Sequence, residues 1–264
     1  MLPEAFEAKS NTASLLELKN IDKEYIADIH KKIVILDNIS LRINYREFVS
    51  IVGPSGCGKS TLLRIIMGLE SYNKGQIFFK GNPFSKGRVN SSMAIVFQSF
   101  GLLPWLTVIE NIELGLEAMH VSKIQRRTKS VAVVQEVGLE GFENAYPRES
   151  SGGMKQRVGI ARALVIDPEV LLMDEPFSSL DPLTADGLRE EVLKVWSNKI
   201  TAPETVMMVT HNIEEAVYLS DRVIILSHRP GSVLKEVRIQ IPRPREKRDS
   251  SIYEYADYIT TMIS

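Results

Sequence analysis

Phe48-Val49-Ser50-Ile51-Val52-Gly53-Pro54-Ser55-Gly56-Cys57-Gly58-Lys59-Ser60-Thr61 is the stretch from which the fold can be read. The short apolar run Phe48 to Val52 fits a buried strand and leads straight into a glycine-rich turn. Beyond the turn, Leu62, Leu63, Ile65, Ile66 and Leu69 recur at helical spacing and predict the buried face of a helix. The turn itself, Gly53 to Thr61, matches G-x-x-x-x-G-K-[ST] in full, and a strand before it and a helix after it are the context the motif requires. Glycines let the chain bend so that successive N–H groups face phosphate oxygens, and the start of the helix adds partial positive charge. Gly53, Pro54, Ser55, Gly56, Cys57, Gly58, Lys59, Ser60 and Thr61 are therefore candidate phosphate-binding residues. Lys59 is expected to reach β- and γ-phosphates, and the Ser60 hydroxyl to ligate Mg²⁺. Cys57 reads first as a small tolerated residue in this loop; the other reading is a thiol open to alkylation or to redox control.

Working outward, Leu16 and Leu18, and later Leu41 and Ile43, alternate with polar residues, so Leu15 to Val52 reads as β-rich. Gln76–Lys80 and Ala94–Phe97 are further strand candidates. From about Leu102 to Tyr146 the pattern becomes helical: Thr107-x-x-Glu110 and Ser122-x-x-Gln125 match the capping box, and Gly138 is placed to stop a helix. Strand–helix alternation then resumes, with strands at Val170–Met173, Val206–Val209 and Val223–Leu226 and helices at Thr184–Trp196 and Asn212–Leu219. This order predicts an α/β protein with a parallel sheet covered by helices on both faces. Residues 1–14 read as a loose tail. Residues 241–264 read as a C-terminal tail that starts with the basic, breaker-rich Pro242-Arg243-Pro244-Arg245; Arg243 to Arg248 is expected to be a solvated surface stretch rather than a nucleic-acid or lipid patch, with a short helix over Tyr253–Ile263.

The run Val170-Leu171-Leu172-Met173-Asp174-Glu175 ends in two acids. A buried parallel strand delivers its C-terminal end to the ligand crevice. Asp174 is placed there to hold Mg²⁺, and Glu175, pointing differently one residue on, to polarise an attacking water.

Just upstream lies Ser151-Gly152-Gly153-Met154-Lys155-Gln156-Arg157. Ser151, Gly152 and Gly153 precede a helix, Lys155 to Leu164, and so present backbone N–H groups and a hydroxyl to an anion. Taken with the glycine loop and the Asp-Glu pair, this turn resembles the signature motif of the ATPase subunit of an ABC transporter, a resemblance that spans residues 15–230. The resemblance implies a P-loop NTPase (RecA-like) core with an antiparallel β subdomain and a helical insert over about 100–160, within an ATPase domain of residues 15–240. It implies ATP and Mg²⁺ as ligands, Gln98 as the glutamine that touches Mg²⁺ and senses the γ-phosphate, and His211 as the switch histidine. It also makes Ser178-Ser179-Leu180-Asp181 the loop that works across a dimer, and Tyr25 the aromatic that stacks on adenine. The signature would bind the γ-phosphate held by a second copy of the chain, giving a head-to-tail, closed two-fold dimer. Two positions depart from the family pattern. Ser150 replaces a leucine, removing an apolar contact worth about 1–2 kcal/mol and offering a competing cap. Arg46 replaces a glycine at a turn.

The bulk composition narrows the partners. Lys plus Arg number 32 against 33 Asp plus Glu, so no global field favours nucleic acid, and none is expected as a partner. The single cysteine excludes an intrachain disulfide, which suits a reducing cytosol. No apolar run approaches the roughly 18–20 residues of a membrane span. The expected location is cytoplasmic and peripheral, on the inner face of the membrane, through an integral permease subunit and, indirectly, a solute-binding protein.

Local strings sharpen the resemblance to the nitrate, sulfonate and taurine importer group. They are Phe100-Gly101-Leu102-Leu103-Pro104-Trp105-Leu106-Thr107, Phe177 to Ala185, Thr210 to Arg222, Arg229-Pro230-Gly231 and the Pro242 to Arg245 run. The apolar cluster after Gln98 reads either as a docking surface for a membrane subunit or as packing within the helical insert, with Trp105 expected to be its most buried member. Two other functions stay open at this level: a soluble ABC ATPase without a transport role, and a weakly active regulatory ATP-binding module.

Overall fold

The β-rich start forms three strands, β1 (Ser14–Asp28), β2 (Lys31–Asn44) and β3 (Phe48–Val52), and the glycine loop then opens α1 (Lys59–Met67). There follow β4 (Lys74–Phe79), β5 (Asn82–Phe84), β6 (Met93–Val96), α2 (Val108–Ala118), α3 (Lys123–Glu136), α4 (Gly152–Leu164) and β7 (Val170–Asp174). The chain ends with α5 (Pro182–Ser197), β8 (Thr205–Val209), α6 (Ile213–Leu219), β9 (Arg222–Leu226), β10 (Val233–Arg238) and α7 (Ser250–Ile263). This computed structural model describes residues 14–28, 31–84, 86–197 and 203–263. The tail expected over 1–14 lies outside the described residues except for Ser14, which already pairs with Asn44 in β1. The chain divides into two compact units, residues 1–89 with 209–264, and residues 90–208.

The first unit holds an antiparallel sheet in the order β2-β1-β4-β5, the β subdomain expected from the resemblance. It also holds β3 and β9, paired in parallel, with β10 antiparallel to β9. Every residue of β3 and β9 is buried, as in strands covered on both faces. Helix α1 buries Leu62, Leu63, Ile65 and Ile66 but ends at Met67, because Gly68 turns left-handed (φ 83°). Leu69, expected on the buried face, is therefore half exposed. Arg46 holds φ 56°, so the turn between β2 and β3 does demand the backbone that glycine adopts without strain.

The expected solvated stretch, Arg243 to Arg248, is solvated only in part: Glu246 and Arg248 are exposed, but Arg243 and Arg245 turn onto the end of α6. Arg245 is only 9 % exposed. Its guanidinium donates to the carbonyls of Val217, Tyr218, Ser220 and Ile241 at 2.6, 3.0, 2.8 and 3.0 Å. Arg243 donates to the carbonyl of Leu219 at 2.5 Å and to the Asp221 carboxylate. The two arginines thus satisfy the orphan carbonyls at the end of α6, where positive charge also complements the helix dipole. Burial, followed by the nearby Arg243 charge, lowers the Arg245 pKa to about 10. Helix α7 continues this cover, packing Ile252 and Ile259 onto Val217, Val223 and Ile225. Arg245→Ala removes one cation and leaves several buried carbonyls without a donor, so unfolding stability should fall by about 3 kcal/mol. Urea denaturation of the two proteins measures this directly.

The second unit contains β6 and β7 in parallel, with β8 following β7 in strand order. Its helical part, α2 to α4, corresponds to the insert read from the sequence. Thr107 makes a complete capping box with Glu110, and Ser122 accepts from the Gln125 amide. Gly138 (φ 65°) stops α3, and the Leu139 amide returns to the Val134 carbonyl at 2.9 Å as in a Schellman turn. Among the described residues no helix is long and apolar enough to cross a membrane.

Candidate nucleotide site

In the first unit, the phosphate loop runs from the end of β3 into α1. The Ncap of α1 is Gly58 at φ 104°, so no side chain caps the helix and no acid sits in its first turn. A helix start of this kind leaves its N–H groups for an anion. Lys59 is buried, and its ammonium donates to the carbonyls of Gly53 and Pro54 at 2.8 and 3.1 Å, arching over the loop it belongs to. Cys57 is 1 % exposed, and burial pushes its thiol above the ordinary range. Burial and a raised thiol pKa both disfavour nucleophilic chemistry at this position, which is in keeping with a small residue tolerated in the loop.

Tyr25 lies near the end of β1 and is 39 % exposed. Its hydroxyl donates to the Glu70 carboxylate, and burial together with that neighbour pushes the phenol up. Lys23 sits 4.5 Å from the ring centroid and 3.0 Å from Glu70, so a cation covers part of the ring. His211 is exposed, between the end of β8 and α6. It adjoins Asn212, whose side chain caps α6 by accepting from the Glu215 amide at 3.0 Å.

The second unit brings together the acidic pair and Gln98. Asp174 ends β7 and is 4 % exposed. Glu175 then turns left-handed, φ 46°, a backbone rarely tolerated outside glycine, which redirects its side chain from the strand path. The Gln98 amide donates to the Glu175 carboxylate at 3.2 Å and to the Ser178 hydroxyl at 3.1 Å, and that hydroxyl donates to the Glu175 carbonyl at 3.0 Å. Ser178 therefore orients both Gln98 and Glu175, a role the sequence reading did not assign. The sequence placed Ser178 only in the loop expected to work across a dimer. Asp181 caps α5 by accepting from the Thr184 amide at 3.1 Å, and the Thr184 hydroxyl, followed by that amide, holds its carboxyl below the usual range.

Ser151 caps α4, its hydroxyl oxygen accepting from the Met154 amide at 3.2 Å. Gly153 lies so close to α5 that a methyl there would stand 2.4 Å from the Thr184 side chain. Ser150 does not compete for the cap: it is buried and donates back to the Tyr146 carbonyl at 3.2 Å, outside the turn. The segment after Gln98 is fixed at two points. Arg162 of α4 donates to the carbonyls of Phe100 and Gly101 at 2.9 and 2.6 Å, and buried Asn111 binds the backbone of Leu103, Leu106 and Thr107. Trp105, expected to be the most buried of the cluster, is 68 % exposed. The segment's backbone is anchored by polar groups, so the indole is not needed as its apolar anchor.

Comparison with known proteins bears on these groups together. Residues 36–178 match the family model described as ABC transporter. The chain is 43 % identical over 233 residues to the aliphatic sulfonates import ATP-binding protein SsuB of Bacillus cereus, covering 88 % of this chain and 89 % of the relative. It is 39 % identical over 257 residues to the nitrate import ATP-binding protein NrtD of Synechocystis, covering 94 % of each. Among solved structures it resembles a dimeric ATP-binding cassette in a post-hydrolysis state bound to ADP and Pi. That match has a TM-score of 0.74 and 33 % identity, over 86 % of this chain and all of the other.

Proposed function

Because this chain belongs to the ABC transporter family, we propose that it is the ATP-hydrolysing subunit that energises an importer of small anions, in the class of the nitrate and sulfonate proteins it resembles. The observation that carries the ATPase reading is the uncapped start of α1 beneath Lys59, in one chain with the Gln98–Glu175–Ser178 cluster. The residues fit MgATP. Gly53 to Thr61 supply amides and one cation for phosphates, while Ser60, Gln98 and Asp174 supply the oxygen donors that Mg²⁺ prefers. When bound, the ion neutralises charge on the phosphate oxygens. Glu175 orients and polarises the attacking water, His211 stabilises the charge that develops on the γ-phosphate, and Tyr25 receives the adenine ring. Ser151, Gly152 and Gly153 complete the site of a second copy. The Ser151 oxygen that accepts from Met154 keeps an O–H to donate, and dimeric packing in a related cassette supports this arrangement. Asp181, on the same loop as Ser178, faces the same partner.

The permease partner would dock on the segment after Gln98. Arg162 and Asn111 hold that segment rigid while Trp105 projects from it, an arrangement suited to an aromatic anchor. The chain is then peripheral on the inner face of the membrane, and a solute-binding protein is its indirect partner. A tagged chain purified from mildly solubilised native membranes should bring down a polytopic subunit, and Trp105→Ala should reduce that recovery at least tenfold while ATP hydrolysis by the isolated chain persists. Recovery with cytosolic proteins alone would overturn the transport reading.

A further inference from the structure

The Arg229-Pro230-Gly231 string has no role in the site just described, yet it lies against the back of the phosphate loop. The turn between β9 and β10 meets that loop at two points. A methyl group on Gly53 would stand 2.8 Å from the carbonyl oxygen of Leu226, the last residue of β9. A methyl group on Gly231 would stand 2.2 Å from the carbonyl oxygen of Cys57. Both contacts are with backbone, which cannot swing aside as a long side chain can.

Strand β2 completes the support. The Gly231 amide donates to the Ile35 carbonyl at 2.8 Å, and its carbonyl accepts from the Asp37 amide at 2.9 Å, so Gly231 is clipped to β2 on both sides of Leu36. Ile35 and Leu36 themselves reach Gly58, where a methyl would meet their side chains at 2.9 and 2.7 Å. The turn is closed internally by Ser227. Its single hydroxyl proton is shared between the carbonyls of His228 and Pro230 at 2.9 and 3.0 Å, and its oxygen accepts from the Ser232 amide at 2.8 Å.

We propose that the 226–231 turn and residues 35–37 of β2 form a rigid platform that aims the phosphate-loop amides, with Gly231 as its positioning residue. The physical link is one peptide plane. The Cys57 carbonyl in contact with Gly231 shares its planar peptide with the Gly58 N–H, one of the unpaired donors at the start of α1. An added methyl must push that oxygen outward by about 1 Å to reach an ordinary contact, and the N–H turns with it. Displacements of this size cost on the order of 100-fold in the rate at a preorganised site, and an amide turned off its phosphate acceptor loses a charge-assisted hydrogen bond as well. The inference rests on the phosphate-loop reading above and extends it to a residue far along the chain.

Calorimetric titration with MgADP tests it, on wild type, Lys59→Ala, Gly231→Ala and Ser227→Ala. Gly231→Ala is expected to bind MgADP at least tenfold more weakly than wild type. Its far-UV circular dichroism should stay close to wild type, its nucleotide-free unfolding midpoint should fall because the methyl displaces backbone, and the ¹⁵N amide resonances of Gly58 and Lys59 should be displaced before any nucleotide is added. A merely structural role would lower the midpoint without moving those resonances or the affinity. If Gly231→Ala does not fold, Ser227→Ala, which loosens the turn without adding bulk, should weaken MgADP several-fold. Wild-type affinity in a folded Gly231→Ala protein, or in Ser227→Ala where the former does not fold, overturns the proposal. A wild-type chain that fails to bind MgADP overturns the phosphate-loop reading itself, and Lys59→Ala marks the level of that failure.

Discussion

Glu175→Gln should bind MgATP with nearly wild-type affinity, hydrolyse it at least 100-fold more slowly and accumulate as a dimer. The magnitude follows from the chemistry: a positioned general base contributes about 10²–10⁴ in rate, and an amide of the same shape cannot take a proton at neutral pH. Retention of binding follows from the division of roles: the proposed phosphate ligands are the loop amides and Lys59, and Glu175 is not among them, its carboxylate being held by the Gln98 amide. The substitution also preserves an acceptor for the Gln98 amide, so the left-handed turn at Glu175 should survive. Dimer accumulation follows if the signature turn of one copy closes over the nucleotide of the other, since a complex that cannot hydrolyse cannot reopen by that route. Phosphate release assays give the rate, and size-exclusion chromatography with light scattering gives the mass. A protein that turns over at one tenth of the wild-type rate would remove Glu175 from the role of base. One that stays monomeric at saturating MgATP would count against the shared site.

The motifs of this chain were legible because each depends on local chain geometry. A strand, a glycine turn and a helix follow one another without interruption between Phe48 and Met67, and their order alone specifies where amides point. The capping box at Thr107, the cap at Ser122 and the stop at Gly138 were likewise local, and helices begin and end there. What was not legible depends on partners distant in sequence. Arg243 and Arg245 read as a charged tail because the carbonyls they serve lie about twenty-five residues earlier, at the end of α6. The exposure of Trp105 followed from Asn111 and Arg162 taking over the anchoring of its segment. Strand β10 carries a mixed pattern, Val-Leu-Lys-Glu-Val-Arg, in which only Val237 is buried, so no period announced it. Gly231 is the sharpest case. Its significance is the absence of a side chain next to Cys57, and nothing in its neighbours along the chain tells of that contact.

Lys59→Ala should weaken MgATP and MgADP by at least 100-fold and leave the nucleotide-free protein folded. The ammonium is buried at the start of α1 and already donates to Gly53 and Pro54 at 2.8 and 3.1 Å. A charge-assisted hydrogen bond contributes about 1.5–3 kcal/mol, and two such bonds to phosphate oxygens amount to about 3–6 kcal/mol, or more than 100-fold in affinity. The loop would lose its internal ties to Lys59 as well, but those are neutral-carbonyl contacts whose loss is partly offset by removing a buried charge. The two effects separate in one experiment. Ligand stabilisation grows as RT ln(1 + [L]/Kd) and reaches about 2.7 kcal/mol at a hundred times Kd. At a nucleotide concentration set to a hundred times the wild-type Kd, the wild-type melting point should rise by several degrees and the variant's should not move. In the absence of nucleotide the two should melt within a few degrees of each other. A variant whose midpoint rises as far as wild type would show that the loop amides alone hold the phosphates, and Lys59 would then be a residue that shapes the loop rather than one that binds its ligand.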